Sequence, residues 1–165
     1  MSVESRFVNV GNPSPKFSLP SLDGELISLD RFVGKKNIVL VFLRGFLWPF
    51  CRRHLEQLRQ DIDKFTELNS EIVVIAPDTL DNAQHYFEQN PVPFTALVDE
   101  TREVYQQFDV QSKLISLGQR PGLFIINKAG IVQFAFIGMQ QWEIPPNSQV
   151  LEILKEIENQ TIKSG

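Results

Sequence analysis

The run Ile38-Val39-Leu40-Val41-Phe42-Leu43 leads through the turn Arg44-Gly45-Phe46-Leu47-Trp48 into Pro49-Phe50-Cys51, and this stretch decides the fold. An unbroken apolar run rich in β-branched residues predicts a central strand that is covered on both faces. Pro49 suits the first position of a helix, where a missing N–H costs nothing. The stretch therefore predicts a strand, a turn and a helix, with Cys51 in the first helical turn.

The rest of the chain continues this alternation of strands and helices. Apolar residues at steps of three and four extend the first helix to Leu68. Residues 111–119 are polar and irregular, which indicates a loop. We predict strands at 71–76, 94–98, 123–126 and 131–137, helices at about 79–89, 101–108 and 147–158, and a hairpin turn at 127–130. This order indicates an α/β fold with parallel strands, right-handed crossovers and an antiparallel hairpin at the edge.

Composition indicates an ordinary globular protein. The 165 residues are 42% hydrophobic and 22% charged, so we expect one domain over residues 1–165. The net charge of −4 provides no basic surface for nucleic acid. The apolar run 38–43 is too short to cross a membrane, and residues 1–10 lack the pattern of a secretory signal. We therefore expect neither nucleic acid nor a membrane as a partner, and a cytoplasmic location.

Cysteine and histidine limit the chemistry further. The chain has a single cysteine, so it cannot form an internal disulfide. The two histidines, His54 and His85, have no cysteine at a spacing typical of metal ligands. We expect neither a metal site nor a cofactor, and the sulfur of Cys51 is the candidate redox-active atom.

The predicted position of Cys51 favours an anion. Ligands of open α/β sheets collect beyond the carboxyl ends of the strands, and the first turn of a helix presents unpaired N–H groups. A free thiol titrates near ~8.5, so a thiolate at neutral pH needs a pKa lower by roughly two, or about 2.7 kcal/mol. The helix dipole supplies up to ~2 kcal/mol. Arg52 and Arg53 point away from Cys51 on the helix, so a further cation must come from elsewhere.

Several blocks of sequence together resemble the peroxiredoxin superfamily. They are the lead-in 11–20, the turn 44–52 with its Trp-Pro-Phe-Cys segment, residues 120–127 and the tail 142–147. The superfamily comprises the alkyl hydroperoxide reductase and thiol-specific antioxidant proteins. The resemblance implies a thioredoxin-like fold: a mixed central sheet flanked by helices, with an N-terminal extension.

The resemblance also implies a thiol peroxidase that reduces hydrogen peroxide or small organic hydroperoxides. Cys51 falls on the peroxidatic cysteine, and Arg120 falls on the arginine that holds the thiolate and the peroxide oxygen. Pro121 falls where thioredoxin folds carry a cis-proline, and Trp48, Pro49 and Pro121 are the candidate substrate-binding residues. The oxidised cysteine would need an external thiol reductant, thioredoxin-like or glutathione-like. Because members of the superfamily often dimerise, a second copy of the chain is a further expected partner, in a homodimer.

Two departures from the family keep other functions open. Trp48 stands where peroxiredoxins carry a threonine, and an indole cannot accept a hydrogen bond in place of that hydroxyl. Arg44 stands where they carry a proline. The alternatives are a redox-inert binding module with a buried structural cysteine and a thiol redox sensor. Around the site we expect Phe46 and Phe50 to pack about the turn. Trp48 has two alternative roles, packing about the turn or lining the substrate site. We expect His54 to be partly exposed.

Overall fold

The computed structural model describes residues 10–46, 49–110, 120–138 and 144–164, with side chains as far as Gln160. None of the helices in these ranges is both long and apolar enough to cross a membrane. The elements are β1 Ser18–Pro20, β2 Leu26–Ser28, a 3₁₀ helix Leu29–Arg31, β3 Asn37–Phe42, α1 Pro49–Gln60, α2 Ile62–Glu67, β4 Ser70–Ala76, α3 Leu80–Gln89, β5 Thr95–Val98, α4 Glu103–Gln107, β6 Gly122–Ile126, β7 Val132–Ile137 and α5 Asn147–Ser164.

β3 lies at the centre of a five-stranded mixed sheet with the order β5-β4-β3-β6-β7. β3, β4 and β5 are parallel, whereas β6 pairs antiparallel with β3 and β7 antiparallel with β6. All six residues of β3 are buried. The predicted α/β class, the central strand and the antiparallel hairpin at the edge are confirmed.

Two apolar clusters cover the two faces of this sheet. Helices α1, α2, α3 and α5 supply the first cluster, together with alternate residues of β3 such as Val39 and Val41. The antiparallel β1–β2 pair and α4 supply the second, together with Leu40 and Phe42. Because helices or the N-terminal hairpin bury both faces, β3 can be apolar at every position.

The first helix is shorter than predicted. The apolar stripe continues to Leu68, but α1 ends at Gln60 and a separate helix begins at Ile62. The carboxylate of Asp61 at the break accepts a hydrogen bond from Nδ2 of Asn147 (2.9 Å). That amide also donates to the backbone oxygen of Gln57 (3.0 Å). Asn147 therefore joins the start of α5 to the end of α1, and α5 extends beyond the predicted end at residue 158. The predicted loop 111–119 lies outside the described residues.

Phe42 provides a stability test of the packing beneath the candidate site. Its ring is fully buried and lies 4.9 Å from that of Tyr105 and 5.1 Å from that of Phe108 between centroids. We expect Phe42→Ala to lower the free energy of unfolding by about 3–5 kcal/mol. The variant loses the transfer free energy of the buried ring, and the cavity that remains loses packing contacts. The control Leu26→Ala, at a side chain 67% exposed, should change it by less than about 0.5 kcal/mol. Denaturant titration followed by circular dichroism measures both, and equal losses would contradict the assignment of the core.

Candidate active site around Cys51

The turn that carries the site begins where β3 ends. Leu43 continues the pairing with β4, since its N–H donates to the backbone oxygen of Ile75 (2.9 Å). Gly45 then adopts a φ of +153°, a conformation that residues with a Cβ rarely reach. α1 begins at Pro49, so Cys51 lies in the first helical turn at the carboxyl end of the central strand. This predicted position of Cys51 is confirmed.

The backbone of the turn binds the sulfur directly. The N–H of Arg44 donates to Sγ of Cys51 over 3.3 Å, and the backbone N–H of Gly45 provides a second hydrogen bond. The thiol side chain is only 5% exposed and packs in the apolar cluster that includes Leu43 and Leu55. The sulfur therefore has polar donors on the side of the turn and hydrocarbon on the side of the core.

Burial is the dominant influence on the thiol. It raises the pKa of Cys51 above the ordinary value, while the hydrogen bonds from Arg44 and Gly45 and the positive charge of Arg44 act to lower that pKa. The sequence-based expectation of a lowered pKa is wrong for this structure. The helix N-terminus was identified correctly, but desolvation of a sulfur this deeply buried outweighs it.

Arg44 is a functional candidate that the sequence analysis did not single out. Its side chain is 5% exposed, and its guanidinium is the cation that acts on the thiol of Cys51. A signal was present in the sequence, because an arginine directly follows an apolar strand at the edge where ligands bind. Arg52 and Arg53, by contrast, are exposed as expected.

Arg120 comes to the same end of the sheet. The antiparallel register pairs Phe42 of β3 with Gly122 of β6, so the residues that follow Phe42 meet those that precede Gly122. Arg120 is 6% exposed, and its Nε donates to the backbone oxygen of Gly138 (3.0 Å) just beyond β7. The topology therefore brings Arg120 to the edge that carries Cys51.

The remaining predicted site residues are distributed around this edge. Pro121 is buried, and the peptide bond before it is trans, contrary to the expected cis-proline. Its carbonyl accepts a hydrogen bond from the N–H of Gly138 (3.0 Å), which continues the β6–β7 ladder by one pair. Pro49 is exposed at the start of α1, and Trp48 lies outside the described residues. Phe46 packs about the turn as predicted, with its ring stacked on that of Tyr86 at 4.3 Å.

His54 is buried, which corrects the prediction of partial exposure. It is 6% exposed, because it shares the buried face of α1 with Cys51, Leu55 and Leu58 at positions i, i+3, i+4 and i+7. Its Nε2 has no hydrogen-bond partner among the described residues, and burial lowers the pKa of His54 to about 4. The spacing was visible in the sequence, so this position could have been recognised as buried.

A cavity of about 290 Å³ lies beside His54, lined by Phe50, Arg53, His54, Gln57, Ile144, Pro145 and Pro146. The guanidinium of Arg53 lies over the ring of Phe50 at 5.3 Å from its centroid. Across the described ranges, no three histidine, cysteine, aspartate or glutamate side chains group as metal ligands.

Comparisons with known proteins agree on one family. A model described as the AhpC/TSA family matches residues 10–135. The chain is 30% identical over 154 residues to a chloroplastic peroxiredoxin Q of Triticum aestivum, with 92% of this chain and 68% of the relative covered. It is 28% identical over 134 residues to peroxiredoxin Bcp of Escherichia coli K12, with 78% of this chain and 85% of the relative covered.

Solved structures show the same architecture. Peroxidoxin BcpB from Mycobacterium tuberculosis aligns with a TM-score of 0.78 and 21% identity over 91% of this chain and 98% of its own. The mitochondrial 2-Cys peroxiredoxin from Plasmodium falciparum aligns with a TM-score of 0.80 and 21% identity over 95% and 98% of the two chains. The predicted thioredoxin-like fold is confirmed.

The buried His54 makes stability depend on pH. Because its pKa falls from about 6.5 to about 4 on folding, the unfolded chain binds the extra proton between these values. Neutral His54 therefore causes no loss of stability above about pH 6.5. As the pH falls from 6.5 toward 4 the free energy of unfolding decreases, by about 2 kcal/mol at pH 5. His54→Leu should remove this dependence, whereas His85→Gln, on an exposed side chain of α3, should retain it. Urea titrations near pH 7.5 and pH 5 measure the difference, and an unchanged pH dependence in His54→Leu would contradict the assignment.

The charge of Arg44 provides a second test. Arg44→Gln keeps the backbone N–H that reaches Sγ but removes the cation, so the pKa of Cys51 should rise further. Arg44→Lys should preserve most of the effect, and Arg53→Gln should have none because that side chain is exposed. Thiolate absorbance near 240 nm as a function of pH measures the thiol directly. A pKa in Arg44→Gln equal to that of the parent protein would exclude the electrostatic role.

Proposed function

The chain belongs to the AhpC/TSA family, and we propose that it is a thiol-dependent peroxidase whose peroxidatic cysteine is Cys51. One observation carries this proposal. The only cysteine of the chain lies in the first turn of α1, where backbone N–H groups bind its sulfur and the charge of Arg44 acts on it. A thiolate is the reactive form of cysteine, and these groups all favour it.

The reaction uses Cys51 as the nucleophile. The thiolate sulfur forms a bond to one peroxide oxygen, the O–O bond breaks, and the other oxygen leaves with a proton as water or an alcohol. Cys51 becomes a sulfenic acid. Arg120, 6% exposed at the same edge of the sheet, stabilises the negative charge that develops on the departing oxygen.

The lining of the site favours a small peroxide. Cys51 is 5% exposed, so hydrogen peroxide and small organic hydroperoxides are better substrates than bulky ones. Pro121 is buried beside Arg120, and Pro49 is exposed at the start of α1. We assign these two prolines to the walls of the substrate site, and a substrate-binding role for Trp48 stays a prediction from the sequence.

Reduction of the sulfenic acid requires an external thiol, because the chain has a single cysteine. The reductant, of the thioredoxin or glutathione type, attacks the sulfenic sulfur, releases water and forms a mixed disulfide. A second thiol then displaces the reduced Cys51. A homodimer is compatible with this scheme, since each chain carries its own cysteine.

Stopped-flow mixing of the reduced protein with hydrogen peroxide tests the function. We expect oxidation at least about 100-fold faster than that of free cysteine at neutral pH. One donor that stabilises the developing negative charge typically raises a rate by about 100–1000-fold, and free cysteine has no such donor. Cys51→Ser should abolish it, and Arg120→Gln should slow it by roughly 100-fold.

The control is Arg31→Gln, whose side chain is 55% exposed and lies 3.9 Å from Glu25 in the N-terminal hairpin. It should react like the parent protein. Oxidation no faster than that of free cysteine, unchanged in Cys51→Ser, would instead indicate the redox-inert module. A disulfide-linked dimer that accumulates after mild peroxide treatment would indicate the redox sensor.

A further inference from the structure

One peptide group links Cys51 to the core of the protein. The N–H of Arg44 donates to Sγ of Cys51 (3.3 Å), and the C=O of the same peptide belongs to Leu43. That carbonyl accepts a hydrogen bond from the hydroxyl of Tyr105 (2.6 Å). In a planar trans peptide the N–H and the C=O point in opposite directions. The sulfur and the phenol therefore bind the two ends of one dipole.

Tyr105 is held rigidly in this position. Its side chain is 1% exposed, and its hydroxyl also lies 2.8 Å from the backbone oxygen of Ile75 in β4. The carboxylate of Asp99 accepts hydrogen bonds from the backbone N–H groups of Val104 (2.8 Å) and Tyr105 (3.0 Å). Asp99 thereby fixes the start of α4, and with it the ring of Tyr105.

The phenol remains a donor throughout the range in which a thiol titrates. Burial and the negative charges of Asp99 and Cys51 raise the pKa of Tyr105 well above its ordinary value, although the charge of Arg102 opposes them. Among the described residues, the two oxygens within hydrogen-bond distance of the hydroxyl are both backbone carbonyl acceptors. The single phenolic proton is thus directed at the carbonyls of Leu43 and Ile75.

We propose that Tyr105 is a positioning residue for Cys51, which orients and polarises the Leu43–Arg44 peptide so that its N–H binds the ionised sulfur more strongly. A hydrogen bond to a peptide oxygen strengthens the donor at the other end of that peptide. The bond also prevents the peptide from rotating away from the sulfur. The inference rests on the proposed function, because it assigns a role to Tyr105 through the sulfur that reacts with peroxide.

Tyr105→Phe is the direct test, because it removes only the hydroxyl oxygen. We expect a higher thiol pKa for Cys51 and a second-order rate constant with hydrogen peroxide that is roughly two- to fivefold lower at neutral pH. The matched control is Tyr86→Phe, whose ring stacks on Phe46 of the same turn. It should leave both quantities unchanged.

A second measurement strengthens the donor instead of removing it. The chain has only two tyrosines, so Tyr86→Phe protein produced with 3-fluorotyrosine carries the analogue at position 105 alone. A fluorinated phenol is more acidic and a better donor, so the thiol pKa of Cys51 should fall. This arm keeps the inference testable if Tyr105→Phe does not fold.

A loosened core is the competing explanation, and Phe108→Leu tests it. Phe108 is fully buried beside Phe42, and its truncation loosens the same cluster without touching the peptide group. A thiol pKa unchanged in Phe108→Leu, with opposite shifts in Tyr105→Phe and the fluorinated protein, supports the inference. An unchanged pKa in Tyr105→Phe, or an equal shift in Phe108→Leu, overturns it.

Failure of the proposed function is distinguishable from failure of this inference. Thiol titration is measured on the reduced protein without peroxide. Opposite pKa shifts in a protein that does not react with peroxide would overturn the peroxidase and leave the positioning role of Tyr105 intact. Rapid peroxide reduction with a thiol pKa that is insensitive to Tyr105→Phe would overturn only the positioning role.

Discussion

The ionisation of one buried sulfur is the constraint on which the site depends. Cys51 is 5% exposed, and desolvation favours the neutral thiol. Two backbone N–H groups and the guanidinium of Arg44 favour the thiolate. The backbone N–H groups cannot be removed without disturbing the fold, because the same turn that donates to the sulfur also continues the central strand. The reactivity of Cys51 is therefore a property of the packing around β3, rather than of the cysteine alone.

The central position of β3 explains why these groups converge. A strand covered on both faces ends inside the protein, so the turn that follows it begins in the core. The parallel neighbour β4 supplies the carbonyl of Ile75, and the antiparallel neighbour β6 brings Arg120 to the same edge. α4 contributes Tyr105 from the opposite face to α1. Main-chain hydrogen bonds join β3 to both neighbouring strands, and the hydroxyl of Tyr105 binds the carbonyls of Leu43 and Ile75 at the end of these strands.

The sequence was sufficient for the elements that follow from a strong periodic pattern. The apolar run predicted β3, and Pro49 with the apolar stripe predicted the start and the buried face of α1. The break at Asp61 was not predictable, because it depends on a contact with Asn147 from a distant part of the chain. Tyr105 was missed for the same reason: its hydroxyl reaches carbonyls 62 and 30 residues away in sequence. Local patterns determine which residues are buried, whereas the partners of a buried polar atom depend on tertiary structure.

A raised thiol pKa is compatible with peroxide reduction, because the rate that it costs is smaller than the rate that one donor to the departing oxygen supplies. For a pKa above the working pH, each further unit reduces the thiolate fraction about tenfold, but a more basic thiolate is a better nucleophile by roughly threefold. The net loss is therefore about three- to fourfold per unit. One well-placed donor to the departing oxygen changes a rate by about 100–1000-fold. The role proposed for Arg120 is an effect of this size, which exceeds the loss that each unit of raised thiol pKa causes. Trp48 stands where the family has a threonine hydroxyl. The N–H of Arg44 that binds Sγ is a backbone group, so this contact with the sulfur does not depend on that hydroxyl.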